Sequence, residues 1–383
     1  MYCAYCYNLS RDRNAFGTQE RSNHKAKTMI DNLVRNNIKK LKPYTCARDL
    51  YNDGILLDAN ENSFGSTFQE LEELHLNRYP DPHQVDLRKS VSKLLNVEAN
   101  KLFFGVGSDE IIDLLIRIFC EPKEDQVMLL EPTYGMYKVA CDINNVETVA
   151  PLLNDSFQID FAEVEKYYSD KVKIIFVCSP NNPTGNLLNK NDILRLCKTY
   201  NSIVVVDEAY IDFSEPTASL INEVKNYRNL VVMRTFSKAW GLAGVRLGFC
   251  TANEEIISYL FKVKAPYNIN ALTRYAVLKS IANEKKKKNA VSSIIGERLR
   301  VENELKNITV ITNVYPSDAN YLLIRLPNAK EVQKELAESG IVIRDRSSQP
   351  KLNDCLRITI GTKEENDALL SGLKILLQKK EMK

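Results

Sequence analysis

A series of short apolar runs between residues 100 and 250 most strongly constrains the fold of this chain. These runs are continuously apolar and do not alternate with polar residues, which is typical of parallel strands covered by helices on both faces. Helical segments such as DEIIDLLIRIF alternate with them. We therefore predict an α/β fold whose large domain has a mostly parallel sheet between helices, with ligands bound where the strands end. The runs are KLFFGV, QVMLLEP, VETVAPL, KIIFVCSP, SIVVVDEAY and LVVMRTFSK.

The pattern changes after about residue 285, where helical segments alternate with half-polar strands. In LRITI, residues Leu356, Ile358 and Ile360 fall on one face and Arg357 on the other. This pattern predicts a smaller α+β unit with a half-exposed sheet. The predicted division of the chain is an N-terminal extension over 1–27, a small domain formed by 28–75 and 285–383, and a large domain over 76–284.

The charge balance argues against nucleic acid and membrane surfaces as partners. The 383 residues carry a formal net charge of +3, and the one dense basic run is Lys285 to Lys288. No apolar stretch approaches the roughly 18 residues needed to span a bilayer, and the N-terminus lacks the apolar core of a signal peptide. Nine irregularly spaced cysteines predict reduced thiols. We therefore expect a cytoplasmic protein with no metal site, because Cys3 and Cys6 have no second ligand pair.

Histidine is scarce, and this limits the chemistry available. His24, His75 and His83 are the only histidines, and none follows a strand or stands beside an evident nucleophile. A Ser/His/Asp hydrolase is therefore disfavoured. The chemistry has to come from lysine, tyrosine, carboxylates or a cofactor.

Asp207 ends a predicted buried strand, and a carboxylate placed there needs a cation or a metal as partner. One interpretation is a nucleotide hydrolase in which Asp207 and Glu208 hold Mg²⁺. That site also requires the loop GxxxxGK[ST], and none of the fourteen glycines is followed by lysine. The other interpretation pairs Asp207 with a protonated pyridine nitrogen. It gains support from Lys238 about thirty residues downstream, a candidate Schiff-base lysine if burial or cationic neighbours lower its pKa.

Further residues fit the same ligand. A helix beginning near Ser108 or Asp109 offers free backbone N–H groups to a phosphate. An aromatic face at Tyr134 can stack on a ring. The remaining candidates are hydroxyl, amide and guanidinium groups that could bind a phosphate or a phenolic oxygen: Asn182, Tyr210, Thr235, Ser237 and Arg246.

With these motifs the chain resembles the fold type I pyridoxal-phosphate aminotransferases of class II, and within them the histidinol-phosphate aminotransferases. The resemblance covers about residues 30 to 380, and one departure is Ser63, where the family commonly has proline. The matching segments are LDANENSFG, RYPDP, GVGSDE, PTYGMY, SPNNPTG, DEAY, RTFSKAWGLAGVRLG, RDRSSQP and LRITIGT.

The resemblance implies that pyridoxal 5′-phosphate is the cofactor and that Lys238, Asp207 and Tyr210 are catalytic. Lys238 would bond the cofactor and then move the proton between Cα and C4′, and Asp207 would keep the pyridine nitrogen protonated. Tyr79 would reach the phosphate in the neighbouring subunit, which implies a homodimer with shared active sites. The other implied roles are the ring oxygen for Tyr210 and Asn182, ring stacking for Tyr134, and the cofactor phosphate for Ser108, Asp109, Thr235, Ser237 and Arg246.

The resemblance also implies the substrate site, with Asn60, Tyr79, Arg344 and Arg357 as its residues. In the wider superfamily, an arginine at the position of Arg357 clamps the substrate carboxylate. Histidinol phosphate has a phosphate in place of that carboxylate, and two guanidiniums match a dianion better than one. Arg344 is therefore the residue expected to discriminate between substrates.

Several functions remain open. The resemblance favours transamination between histidinol phosphate and 2-oxoglutarate, giving imidazole-acetol phosphate and glutamate, in histidine biosynthesis. An aromatic amino-acid aminotransferase and a phosphothreonine decarboxylase would use the same fold. A more distant alternative is a non-catalytic regulator that retains the pyridoxal-phosphate fold.

Overall fold

Two β-sheets organise the part of the chain that the computed structural model describes, residues 28–43, 49 and 71–381. None of the helices in these ranges is both long and apolar enough to cross a lipid bilayer. The strands are β1 (Leu102–Val106), β2 (Gln126–Leu129), β3 (Glu147–Val149), β4 (Val172–Cys178), β5 (Ile203–Asp207), β6 (Leu230–Thr235), β7 (Leu247–Ala252), β8 (Asn313–Tyr315), β9 (Tyr321–Arg325), β10 (Arg344–Asp345) and β11 (Cys355–Thr359). The α-helices are α1 (Met29–Leu33), α2 (Asn36–Lys40), α3 (Val85–Leu95), α4 (Gly107–Phe119), α5 (Met136–Ile143), α6 (Phe161–Tyr167), α7 (Lys190–Thr199), α8 (Glu254–Val263), α9 (Ala271–Ile281), α10 (Glu284–Lys306), α11 (Ala329–Glu338) and α12 (Lys363–Glu381).

The larger sheet has the strand order β1-β7-β6-β5-β4-β2-β3. Neighbouring strands from β6 to β3 are parallel, whereas β7 is antiparallel to both β1 and β6. The predicted α/β class with a mostly parallel sheet is confirmed. Strand β7 does not follow from the sequence pattern, because LGFCTA lacks the continuous β-branched run of its neighbours.

Both faces of the large sheet are covered, which explains the continuous apolar runs. Along β5, Ile203 and Val205 pack into one core, and Val204 and Val206 pack into the core on the opposite face. All four side chains are fully buried. Because successive side chains of a strand point to opposite faces, a strand buried on both sides needs apolar residues at every position.

The three parallel strands β4, β5 and β6 end at the same edge of the large sheet. Cys178 is paired with Asp207, and Asp207 is paired with Met233 two residues before the end of β6. The loops that follow these strands therefore lie side by side, as in other open α/β sheets that bind ligands at the carboxyl edge.

The smaller sheet is antiparallel and has the order β10-β11-β9-β8. One face, which includes Leu356 and Ile358, packs against residues of α10, α11 and α12 in a separate core. Arg357 lies on the other face, because the side chains of a strand alternate. The small sheet thus buries one face among its own helices and leaves a second face for other contacts.

Residues 28–40, which the predicted division assigns to the small domain, pack against the large sheet. Ile30, Leu33 and Val34 belong to the same core as the buried face of α4. Arg35 adds an ion pair with Glu121 at 2.9 Å. The packing follows from the apolar face of α1, and the two-domain division itself stays a prediction.

Candidate active site

Asp207, the last residue of β5, lies in a buried environment at the edge of the large sheet, with 3% of its surface exposed. Its carboxylate accepts a hydrogen bond from the Tyr137 hydroxyl at 2.8 Å and another from the Ala209 backbone N–H at 3.0 Å. Burial raises the pKa of Asp207, and these two hydrogen bonds oppose the rise. The carboxylate is therefore held in place and keeps free lone pairs for a cationic partner.

Glu208 follows Asp207 in the chain but points to a different environment. Its oxygens accept hydrogen bonds from the Ser219 hydroxyl at 2.7 Å, the Leu220 N–H at 2.6 Å and the Arg234 guanidinium at 2.9 Å. These contacts occupy the Glu208 carboxylate within the protein. Asp207 and Glu208 therefore do not form a joint metal site, and the nucleotide-hydrolase interpretation loses its pair of ligands.

Lys238 lies in the loop after β6, in the cleft that Asp207 faces. Its Nζ is 5.5 Å from the centre of the Tyr210 ring. The side chain is exposed to the open cleft, but desolvation by the surrounding walls and the nearby charge of Arg357 lower the pKa of the amine. Asp207 opposes this shift. A lysine with a lowered pKa is a better nucleophile at neutral pH, because more of it is uncharged.

Helix α4 begins at one end of this cleft. Its N-cap residue Val106 provides no side-chain hydrogen bond, so the N–H groups of the first turn at Ser108 and Asp109 are open to an anion. Close packing by glycine places this turn: a Cβ at Gly248 would lie 2.4 Å from the Ser108 nitrogen. The position of these N–H groups therefore depends on the absence of a side chain at Gly248 on β7.

Hydroxyl and guanidinium groups surround the start of this helix. The Thr235 and Ser237 hydroxyls are 3.0 Å apart. Arg246 adopts a left-handed backbone conformation with φ of 56°, and its guanidinium contacts an Asp109 carboxylate oxygen at 3.2 Å. Donors of these kinds are suited to a phosphate group.

Aromatic rings form the wall between Asp207 and the helix start. Tyr134 packs edge-on against Tyr137, with ring centres 5.4 Å apart, and Tyr137 stacks on Phe176 at 4.6 Å. Tyr137 is fully buried, so its ring is fixed while its hydroxyl bonds Asp207. On the opposite side, Asn182 accepts a hydrogen bond from Arg357 at 2.5 Å.

The structure brings together ten of the eleven predicted cofactor residues, all lining one cavity. Tyr79 lies elsewhere, 51% exposed and stacked on Tyr267 with ring centres 4.5 Å apart. Asn60 lies outside the described residues. The ten are Ser108, Asp109, Tyr134, Asn182, Asp207, Tyr210, Thr235, Ser237, Lys238 and Arg246.

The two predicted substrate arginines lie directly opposite each other on adjacent strands of the small sheet. Arg344 on β10 is paired with Arg357 on β11. Arg344 is exposed, and Arg357 reaches Asn182 at the cavity. The sequence pattern does not identify Tyr137 or Arg346 as site residues. The available signals are that Tyr137 ends the segment PTYGMY and that Arg346 lies two residues after Arg344, which places both arginines on one face of a strand.

Comparison with known proteins gives consistent results. The family model for aminotransferases of class I and II matches residues 52–373. A histidinol-phosphate aminotransferase of Cytophaga hutchinsonii is 46% identical over 347 residues, covering 90% of this chain and 98% of the relative. One from Christiangramia forsetii is 45% identical over 351 residues, covering 91% and 98%.

Solved structures show the same fold. The histidinol-phosphate aminotransferase of Clostridium acetobutylicum superposes with a TM-score of 0.73 at 28% identity, covering 79% of this chain and 91% of that one. The enzyme of Sinorhizobium meliloti, solved in complex with pyridoxal-5′-phosphate, superposes with a TM-score of 0.73 at 22% identity, covering 84% and 90%. At that identity the second likeness supports the fold alone.

Proposed function

Because this chain belongs to the class I and II aminotransferase family, we propose that it interconverts L-histidinol phosphate and 2-oxoglutarate with imidazole-acetol phosphate and L-glutamate in histidine biosynthesis. It is a pyridoxal-phosphate-dependent aminotransferase. The observation that carries the proposal is that Lys238 and Asp207 line the same cleft. The chain is also 46% identical to a histidinol-phosphate aminotransferase.

The residues of the cleft fit pyridoxal 5′-phosphate. The uncapped start of α4, with Ser108 and Asp109, offers the anion site that the cofactor phosphate requires. Gly248 leaves the space for that turn. At the other end, the buried carboxylate of Asp207 supplies the acceptor for a pyridine N–H. The other residues proposed to hold the phosphate are Thr235, Ser237 and Arg246.

When bound, pyridoxal phosphate provides a ring that absorbs the electron pair left after the substrate loses its Cα proton. Asp207 holds a proton at the ring nitrogen, so that the ring carries positive charge. The Nζ of Lys238 would hold the proton that moves between Cα and C4′, for which its lowered pKa is suited. Tyr210 and Asn182 would hold the ring oxygen, and Tyr134 would stack on the ring.

Arg344 and Arg357 bind the anionic group of the substrate. A phosphate monoester carries a charge of about −1.5 to −2 at neutral pH and offers three acceptor oxygens. Two guanidiniums on paired strands can contact different oxygens of such a group. Their direct opposition supports a doubly charged ligand, and Asn60 stays a predicted contact outside the described residues.

The active unit is proposed to be a homodimer. Tyr79 is 51% exposed and stacks on Tyr267, away from the cavity of its own subunit. An exposed tyrosine in this position could reach the phosphate site of a second subunit, which supports shared active sites. Sedimentation of the purified protein tests this directly, and a monomer with full activity would contradict it.

The cytoplasm is the proposed compartment. The six cysteines in the described part of the chain are all free and buried, which supports reduced thiols and not a disulfide framework. Fractionation of cells that produce the protein provides the test.

Steady-state turnover tests the proposed activity. The purified holoenzyme is assayed with 2-oxoglutarate and either histidinol phosphate or phenylalanine, in the wild type and in Arg344→Ala. We expect a higher kcat/KM for histidinol phosphate, and a loss in Arg344→Ala that falls mainly on this substrate. A preference for phenylalanine would indicate an aromatic aminotransferase, and release of CO₂ from phosphothreonine would indicate a decarboxylase.

Lys238→Ala provides the mechanistic control. It should abolish turnover and remove the lysine-dependent visible absorbance of the cofactor, because the bond between the protein and the cofactor is lost. Unchanged absorbance in this variant would contradict the role proposed for Lys238.

A further inference from the structure

Three arginines, and not two, share the face of the small sheet that lies toward the cavity. Arg344 is paired with Arg357, and the backbone pairing continues from the Arg346 N–H to the Cys355 carbonyl at 2.9 Å. Side chains two residues apart on a strand point to the same face. Arg344, Arg346 and Arg357 therefore form one cluster, which we call the arginine triad.

No acid forms an ion pair with the triad in the described part of the chain. Within residues 28–43, 49 and 71–381, none of the three guanidiniums forms a salt bridge, and the Nε atoms of Arg346 and Arg357 are buried without an acceptor. The nearest acid in sequence, Asp345, alternates to the other face and accepts hydrogen bonds from the N–H and hydroxyl of Ser347 at 2.8 and 2.6 Å.

Like charges directly opposite each other destabilise a sheet, and a buried donor without an acceptor costs further free energy. An anionic ligand would relieve both costs, because it neutralises the charges and accepts the free hydrogen bonds. The only side-chain acceptor within hydrogen-bond distance of Arg357 in the described ranges is the neutral amide of Asn182, at 2.5 Å. The triad is therefore suited to an anion with more than one negative charge.

Arg346 is less exposed to solvent than Arg344. Its side chain is half-buried, and burial followed by the charges of Arg357 and Arg344 lowers its pKa. Tyr210, which lines the cavity with Lys238, and Asp345 oppose this lowering of the pKa.

We propose that Arg346 binds the phosphate of the substrate together with Arg344 and Arg357, and that this third guanidinium makes the site selective for a phosphate monoester over an uncharged or singly charged group. This proposal rests on the proposed function, because it assumes that a phosphorylated amine enters the cleft. Arg346 acts on binding and not on proton transfer, so its effect falls on KM.

The test compares histidinol phosphate with histidinol, which differs from it only in the phosphate, and with phenylalanine, which has a carboxylate and no phosphate. The wild-type and Arg346→Gln holoenzymes are assayed with histidinol phosphate, with histidinol and with phenylalanine. We expect kcat/KM for histidinol phosphate to fall about 10- to 100-fold, mainly through KM, because a charge-assisted hydrogen bond is lost. For the two unphosphorylated substrates we expect a change of less than about threefold. Inorganic phosphate should inhibit the variant more weakly than the wild type by a similar factor.

Two further variants complete the design. Arg325→Gln is the matched control, because Arg325 lies on the same face of the small sheet and its guanidinium donates to the Lys351 carbonyl at 2.7 Å. This control should leave the preference for histidinol phosphate unchanged. Arg346→Lys keeps the charge without the planar fork and should fall between wild type and Arg346→Gln; it also replaces the glutamine variant if that protein does not fold.

The outcomes separate the two proposals. If the wild type does not turn over histidinol phosphate, the proposed function is wrong. If the wild type does and the Arg346 variants match it, or lose all substrates equally, Arg346 does not bind the phosphate and the inference is overturned.

Discussion

The Tyr137 hydroxyl donates a hydrogen bond to Asp207 and also contacts the Cys178 thiol. Tyr137→Phe deletes one hydroxyl and keeps a ring that stacks on Phe176 at 4.6 Å. The Asp207 oxygen that accepts this bond at 2.8 Å then has no side-chain donor among the described residues, and the Ala209 N–H remains on the other oxygen. The variant therefore isolates one contribution to the state of the carboxylate.

The free energy of unfolding lost in Tyr137→Phe depends on the charge of Asp207. A hydrogen bond to a charged group contributes about 1.5–3 kcal/mol, whereas one between neutral groups contributes about 0.5–1.5 kcal/mol. Loss of the bond therefore raises the pKa of Asp207 further, because the ionised carboxylate loses more stabilisation than the neutral carboxyl. Because burial already raises the pKa of Asp207 above its ordinary value, ionised Asp207 destabilises the cofactor-free fold, and stability falls as pH rises through the folded pKa.

Urea unfolding of the cofactor-free protein at slightly alkaline and at acidic pH provides the measurement. We expect Tyr137→Phe to lower the free energy of unfolding by about 2 kcal/mol at the alkaline pH and by about 1 kcal/mol where Asp207 is protonated. Tyr200→Phe is the control, since its buried hydroxyl has no hydrogen-bond partner in the described part of the chain. Removal of that hydroxyl should leave stability unchanged or raise it.

Two results would refute this reasoning. One is a loss of stability in Tyr137→Phe that does not depend on pH, because the bond would then not distinguish the charged from the neutral carboxyl. The other is an equal loss in Tyr200→Phe, because the effect would then come from removing any buried hydroxyl. In the holoenzyme, Tyr137→Phe should also reduce kcat, and its pH profile should shift relative to wild type.

Three other predictions concern Gly248, Arg234 and Lys238. Gly248→Ala should raise the Kd for pyridoxal phosphate at least about 10-fold in an absorbance titration, because its Cβ would lie 2.4 Å from the Ser108 nitrogen; an unchanged Kd contradicts this. Arg234→Met should cost about 3–5 kcal/mol in urea unfolding by leaving buried Glu208 unpaired, and adding Glu208→Gln should recover part of the loss. The rate at which the cofactor-free protein takes up pyridoxal phosphate should increase with pH and reach a plateau below pH 10.5, because burial lowers the pKa of Lys238. A rate that reaches its plateau only at pH 10.5 would contradict the lowered pKa.

Much of the fold follows from the sequence because burial on both faces leaves a strong signature. The parallel strands are continuous apolar runs, and the helix at Gly107–Phe119 has a clear period. The missed strands lack that signature. Strand β7 contains Gly248, whose absent side chain serves the contact with α4, and β8 has only three residues, Asn313–Tyr315. In both, tertiary contacts outweigh local preference.

The site is predictable in its residue types but not in its contacts. Polar residues at strand ends indicate where a ligand binds, because parallel strands end at one edge. The donor to Asp207, however, comes from Tyr137, which is 70 positions earlier in the chain. A tyrosine in an apolar helix is expected to be part of the core, and Tyr137 is indeed fully buried. Its hydroxyl acquires a role only through the fold.

Asp207 and Glu208 show that two residues of the same chemical type can have different roles. The two acids are adjacent and carry the same charge, yet one faces the cavity and the other binds Arg234 at 2.9 Å. The alternation of side chains at the strand end separates them, since neighbouring residues point to opposite faces. One acid is then free to hold a proton on a ligand because the other, with its arginine, stabilises the strand end from behind. A sequence that exchanged the two would keep every composition-based property of the site and lose its chemistry.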